Sequence, residues 1–186
     1  MAEAFSNSLT RAVGVVTTYS GSTVAAASTA ITVTAATGIG VSDLVDNANY
    51  IAGTRVKQIV GTTVYTDRAS TNTAAATSQI VNFLGVTTAY TSPSAVKSIL
   101  IGGTFANNTT SQVNLTVEVF DQSVDRTVGI AHKIPVPTGS SFVISDAGKT
   151  LLEGLDEVRV YSDTAGAIDV YPVSYTHLTL PTSDLV

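Results

Sequence analysis

The 186-residue sequence contains no cysteine and no tryptophan. Without cysteine there can be no disulfide, no zinc–thiolate site and no thiol nucleophile. Charge is scarce too. Asp, Glu, Lys and Arg make up 12% of the chain, about half the share of an ordinary soluble domain. The scarcity is concentrated: Ala12 to Ser42, Ala69 to Val96 and Ser98 to Val117 carry no charged residue at all. There are 2 histidines, His132 and His177, and they form no H-E-x-x-H or other paired-histidine metal spacing. No G-x-S-x-G nucleophile elbow occurs. Gly148-Lys149-Thr150 has the ending of a phosphate-binding loop, but the residue five places before Gly148 is Val143 where that motif needs glycine. No cofactor is implied. Met1 to Arg11 lacks the positive region and apolar core of a secretory signal, and no run of 18 apolar residues would span a membrane as a helix.

The net charge of -5 is unevenly distributed. Up to Val96, Glu3, Asp43, Asp46 and Asp67 are cancelled by Arg11, Arg55, Lys57 and Arg68. The whole imbalance arises from Lys97 onward. There is no basic patch, and phosphate neutralisation needs clustered Lys and Arg, so neither nucleic acid nor a membrane is an expected partner. Thr, Ser, Asn, Ala and Gly fill the place of the missing charge. A surface of hydroxyls and amides suits a protein packed against copies of itself, because a free monomer normally keeps a mixed charged surface. It also suits a lone β domain with a Thr-rich exterior, since Thr is a good strand former.

The periodicity is that of strands. Val113, Leu115, Val117 and Val119 alternate with Asn114, Thr116, Glu118 and Phe120, a period of two over eight residues. Ile31 and Val33, and later Val158 and Val160, alternate with polar or aromatic neighbours in the same way. Short β-branched runs recur between Gly, Asn, Pro and Ser clusters, the pattern of a sandwich or barrel. Strands are expected near 29–34, 54–60, 62–66, 79–84, 96–101, 112–120, 127–134, 140–145, 156–161 and 167–173. A tight hairpin is expected at Gly61, a short helix over Ala2 to Arg11, and one helical turn near Gly148 to Glu153. Thr87 to Ser94 is uncharged, polar and carries Pro93, which marks a linker. The expected fold is all-β, with two small antiparallel modules, the second a β-sandwich or jelly-roll-like domain. The expected boundaries are an N-terminal arm at 1–11, a β module at 12–88, a linker at 89–94, a sandwich module at 95–171 and a tail at 172–186. Pro172 and Pro181 both fall in that tail, where each forbids a ladder donor. It is expected to be non-native or disordered.

Candidate chemistry is thin. Asp43, Asp46, Asn47 and Asn49 form the best metal candidate, because oxygen donors at that density can hold a calcium ion. Their spacing departs from the EF-hand pattern, and Asp and Asn also simply cap turns. Asp121 with Asp125, and Glu153 with Asp156 and Glu157, read as solvated turns rather than a catalytic acid pair. His132 reads as an ordinary strand residue. Tyr19, Tyr50, Tyr65 and Tyr90 are candidates for adhesive contact, since Tyr combines area with a hydrogen-bonding tip.

Several segments resemble known proteins. Ser98 to Thr109 (SILIGGTFANNT), Val113 to Phe120, Lys133 to Ser145 (KIPVPTGSSFVIS), Leu151 to Tyr161 and Ala167 to Val170 together resemble a module of structural proteins from marine tailed bacteriophages, including cyanophage-like ones. In the first module, Asp43-Leu-Val, Gly53-Thr-Arg-Val, Val60-Gly-Thr-Thr-Val and Asp67-Arg-Ala-Ser are similar to small β units of phage tail and fibre proteins. The likeness implies a non-enzymatic virion component of the head surface, neck or tail, assembled in the host cytoplasm. Its implied partners are other virion proteins and copies of itself. The alternative it implies is a carbohydrate- or receptor-binding module of a fibre, with a glycan as partner. Such modules close on a full apolar strand, and here Tyr171-Pro172 stands in its place. Ser174 to Thr182 (SYTHLTLPT) resembles a translated sequencing adapter found at the ends of metagenomic reading frames.

Overall fold

The computed structural model describes residues 3–94, 96–144 and 150–177. Sixteen strands and no helix lie within them. In order these are β1 (Glu3–Asn7), β2 (Thr10–Val13), β3 (Val15–Val24), β4 (Ala30–Thr32), β5 (Leu44–Asp46), β6 (Val56–Val60), β7 (Thr63–Thr66) and β8 (Ala76–Gly85). They continue as β9 (Thr87–Thr91), β10 (Lys97–Asn107), β11 (Val113–Asp121), β12 (Arg126–Val136), β13 (Ser141–Ile144), β14 (Thr150–Leu152), β15 (Glu157–Ser162) and β16 (Ile168–His177). The protein is all-β, and every strand pairing is antiparallel.

The first unit is a six-stranded sheet in the order β5-β8-β3-β4-β7-β6. Its two ends meet. Ser42 N–H donates to the Val56 carbonyl at 2.8 Å, Val56 N–H to the Asp43 carbonyl at 2.9 Å, and Val45 N–H to the Thr54 carbonyl at 2.8 Å, with a bridge between Leu44 and Arg55. The sheet therefore closes into a small barrel without a free edge. Val24, Ile31, Val45, Val56, Val64, Val81 and Phe83 fill its interior, so all six strands contribute. The hairpin expected at Gly61 is there, between β6 and β7, with Gly61 at φ 58°, the left-handed conformation that a tight hairpin needs.

The second unit is sandwich-like. One sheet runs β12-β11-β15-β9. The other has β16 and β10 at its centre, with β1 and β2 end to end along the outer side of β16 and β13 and β14 end to end along that of β10. Leu100, Phe105, Ile168 and Val170 of the second sheet pack against Leu115, Val117, Val158 and Val160 of the first. At one end of this core the packing is polar. Tyr90 OH donates to Ser98 Oγ at 3.0 Å, and the Ser92 and Ser98 hydroxyls lie 2.9 Å apart. Thr176 Oγ1 approaches Ser98 Oγ at 3.5 Å.

Four expectations need correction. The short helix over Ala2 to Arg11 is instead β1 and β2, because their backbone groups pair with β16. The 1–11 arm thus belongs to the sandwich. The linker at 89–94 begins within β9, a ladder partner of β15. Thr150 to Leu152 of the helical turn forms β14 against β10, while Gly148 and Lys149 lie outside the described residues. Finally, the chain does not leave the sheet at Pro172. β16 continues to His177 between β1 and β10, with Pro172, Ser174 and Thr176 buried. Proline is tolerated there because its backbone faces the break between β1 and β2, where Ser8 N–H donates to the Pro172 carbonyl at 3.3 Å and no ladder donor is needed from residue 172. Residues 178–186 of the expected tail lie outside the described residues.

Candidate functional site

A cleft of about 720 Å³ lies between the barrel and the outer face of the β12-β11-β15-β9 sheet. Strand alternation creates that face. Val113, Leu115 and Val117 turn into the sandwich, so Asn114, Thr116 and Glu118 turn outward. On β15, Val158 and Val160 turn inward and Arg159 and Tyr161 outward. The barrel then covers much of this outer face. Tyr161 packs with Leu44 and Leu84 of the barrel in a small apolar cluster.

Beside the cluster, Arg55 of the barrel reaches across to the sandwich. Its Nη2 pairs with Glu118 Oε2, and its Nη1 donates to Tyr161 OH and to the Ser42 carbonyl, each at 3.1 Å. The Glu118 side chain is 2% exposed and that of Arg55 18%. Burial works against the Arg55 charge. The Tyr161 oxygen and the Glu118 carboxylate more than offset it, so the guanidinium is held above its ordinary value. Burial pushes the Tyr161 phenol up, and the Glu118 charge adds to that while Arg55 opposes it. A second pair crosses the junction, Lys133 Nζ to Asp46 Oδ1 at 2.6 Å.

Most charges on the cleft wall face one another. Arg159 Nε donates to Glu157 at 2.7 Å and its guanidinium lies 3.6 Å over the Phe120 ring. Arg68 donates to the Ala52 carbonyl at 3.3 Å and lies 4.0 Å from Asp67. Arg126, Asp125 and His132 complete the rim. The His132 ring lies against the backbone of Gly129, where a Cβ would stand 1.9 Å from Nε2. His132 is thus an edge-strand residue at the rim of the cleft. The cleft therefore joins two units through buried and half-buried ion pairs, and its open rim can receive polar or anionic groups.

The calcium candidates are only partly brought together. Asn47 Oδ1 accepts from the N–H and the Nδ2 of Asn49, at 2.9 and 3.0 Å. Asp46 is engaged with Lys133. Asp43 Oδ2 accepts from Gly40 N–H at 2.7 Å, and burial raises its carboxyl above the ordinary value against that bond. Among the described residues no group of three or more His, Asp or Glu is placed to hold a metal ion. The acids read as solvated turns are split. Asp121 caps the turn at Ser123, at 2.9 Å to its N–H. Asp156 is buried instead, accepting from Gln122 N–H at 3.1 Å and Glu153 N–H at 2.8 Å. Of the four tyrosines, Tyr50 is barrel core, Tyr19 donates to the Thr37 carbonyl, Tyr90 packs on the sandwich core, and Tyr65 alone is exposed.

Sequence reasoning missed Arg55, Glu118 and Tyr161. One signal was available: Glu118 is the first charged residue after an uncharged run, and it sits on the outward phase of a strongly alternating strand. Compared with protein-family models, curated proteins and solved structures, the chain matches none.

Proposed function

We propose that this chain is a non-enzymatic structural component of a bacteriophage virion, on the head surface, neck or tail, that acts by protein–protein assembly. The observation that carries assembly is the mismatch between its few charges and its exposed apolar side chains. Phe5, Leu9, Val143 and Leu151 stand in solvent on a sheet with no layer over its outer face among the described residues. The phage origin rests on the resemblance of residues 98–170. A structural protein needs no reactive group, and the paired charges of the cleft have a mechanical use in joining barrel to sandwich. The decisive experiment is a reconstruction of the particle, with mass spectrometry of purified virions. The chain is expected in stoichiometric amounts at a defined symmetry position. Its absence from particles, together with strictly monomeric behaviour at high concentration, would overturn the reading.

The second reading is a glycan- or receptor-binding module of a fibre. The open cleft with Arg126 and His132 at its rim favours it. A glycan array and a host-adsorption assay separate the two, since only this reading expects saturable glycan binding that Arg126→Ala removes.

A further inference from the structure

We infer that the outer face of the β16–β10 sheet is a self-complementary surface that packs against the same face of a second copy. This rests on the assembly reading above and names its surface and partner. Cross-strand registers place Phe5 opposite Tyr175, Tyr175 opposite Ile99, and Ile99 opposite Leu151. Residues directly opposite share a face. The four form one apolar row across the full width of the sheet, with Phe5 74% and Leu151 55% exposed at its ends. This row is a ridge.

A groove of about 270 Å³ lies further along the same face. Small side chains, Thr104 and Ala106, form its floor, and Leu9 and Tyr171 stand beside it. Val173 and Gly102, opposite each other in the register, lie between ridge and groove. A two-fold axis in the plane of the interface, across the strands and over this pair, reverses strand direction in the second copy. Each copy's row of Phe5, Tyr175, Ile99 and Leu151 then lies over the other's Leu9, Tyr171, Thr104 and Val143, with Ile99 above the groove floor at Thr104. This is the pattern an isologous interface requires.

The ends of the face match under the same operation. Lys97 and Glu153, 2.9 Å apart, bound the ridge end. Arg11 and Asp169, 3.9 Å apart, bound the groove end. The rotation keeps position across the strands, so at both rims Lys97 on β10 of one copy comes beside Asp169 on β16 of the other, while the uncharged middle is buried. An apolar centre with a polar rim is the ordinary anatomy of a specific interface. Four strand positions about 4.8 Å apart and about nine residues at ~3.4 Å give on the order of 600 Å² per copy. The two copies together pass the roughly 1,000 Å² that a specific contact needs.

The test uses the full chain. Sedimentation over a concentration series is compared for the parent, Phe5→Glu and Leu151→Glu. Each substitution is expected to weaken dimerisation by at least about 30-fold, with unfolding midpoints checked to show that the fold survives. Because the chain has no cysteine, a single Val173→Cys near the axis should be cross-linked to its mate by a short bismaleimide that spans the ~10 Å between packed sheets. Val128→Cys, on the edge strand β12 of the other sheet, should not. Self-association that survives both glutamate substitutions, with cross-linking through Val128→Cys, would overturn this interface and leave the assembly reading standing. A parent chain that is monomeric at every concentration would overturn the interface as well. The assembly reading would then fall only if purified particles also lack the chain.

Discussion

The two sheets of the sandwich treat their outer faces in opposite ways. The β12-β11-β15-β9 sheet presents Thr116, Glu118, Arg159 and Tyr161 outward, and the barrel covers part of that face. The β16–β10 sheet presents Phe5, Ile99, Leu151 and Tyr175 outward, and nothing among the described residues covers it. The covered face thus carries charge and the open face carries apolar surface. A covered charge must be paired, because an ion withdrawn from water costs several kcal/mol unless a partner and hydrogen bonds offset it. Arg55 and Tyr161 meet that need for Glu118. Covering this face with a charged joint fixes how the barrel sits, since displacement would leave Glu118 without its partner. The open apolar face owes its order to the strand ladders and to contacts within it, such as Phe5 against Tyr175 with ring centres 5.1 Å apart.

Removing the charge from the covered face should have the largest effect. Glu118→Ala leaves Arg55 half-buried beside Tyr161 and should cost about 3–5 kcal/mol in chemical denaturation. Leu151→Ala on the open face should change the stability of the isolated chain by less than about 0.5 kcal/mol. Similar losses for the two would mean that both faces are equally integrated. Deleting Ser174 to Val186 comes next. It strips partners from both β1 and β10 and removes the buried Ser174 and Thr176. A loss of at least about 2 kcal/mol is expected, since several backbone hydrogen bonds go at once. Removing only 178–186 gives the matched control.

Smaller effects sharpen the same contrast. Lys133→Ala breaks the second pair across the junction. Both partners are part-exposed, 40% and 23%, so the expected loss is about 0.5–1 kcal/mol and should shrink in high salt. The smallest effect has the opposite sign. Burial raises the Asp43 carboxyl, so the folded chain holds that proton more tightly than the unfolded one. Asp43 therefore weakens the fold as pH rises from the unfolded pKa through the raised folded value. Asp43→Asn should stabilise by a few tenths of a kcal/mol at neutral pH, given its partial exposure. The gain should disappear in acid, and urea titrations at several pH values would reveal it.

The comparison also explains what could be read from the sequence. Strands facing a purely apolar core, such as β11 and β15, announce themselves by alternation. β3 and β9 do not. Val15 to Val24 and Thr87 to Thr91 are rich in Thr and Ser, which sit on either face of a sheet and erase the contrast that periodicity detects. The last stretch of β16 failed for a related reason. Ser174 and Thr176 point inward, toward a hydroxyl-lined end of the core where Ser92, Ser98 and Tyr90 meet. Hydropathy reads such residues as surface. The Arg55–Glu118 joint links residues 63 positions apart, a separation that no local pattern encodes. The open face was hidden because it is assembled from the two ends and the middle of the chain.

The pairing of β1 with β16 also sets an order of events. Ser6 and Ser174 hydroxyls meet across 168 positions of sequence, whereas the barrel closes within Val15 to Gly85. During synthesis the barrel can complete itself while the ribosome is still adding the sandwich. β1 and β2, made before it, must wait beyond a finished neighbour until β16 emerges, and closing so long a loop is slow. Strands made before the barrel thus find their place after it. In that interval the unpaired strand carrying Phe5 is open to capture by a neighbouring nascent chain.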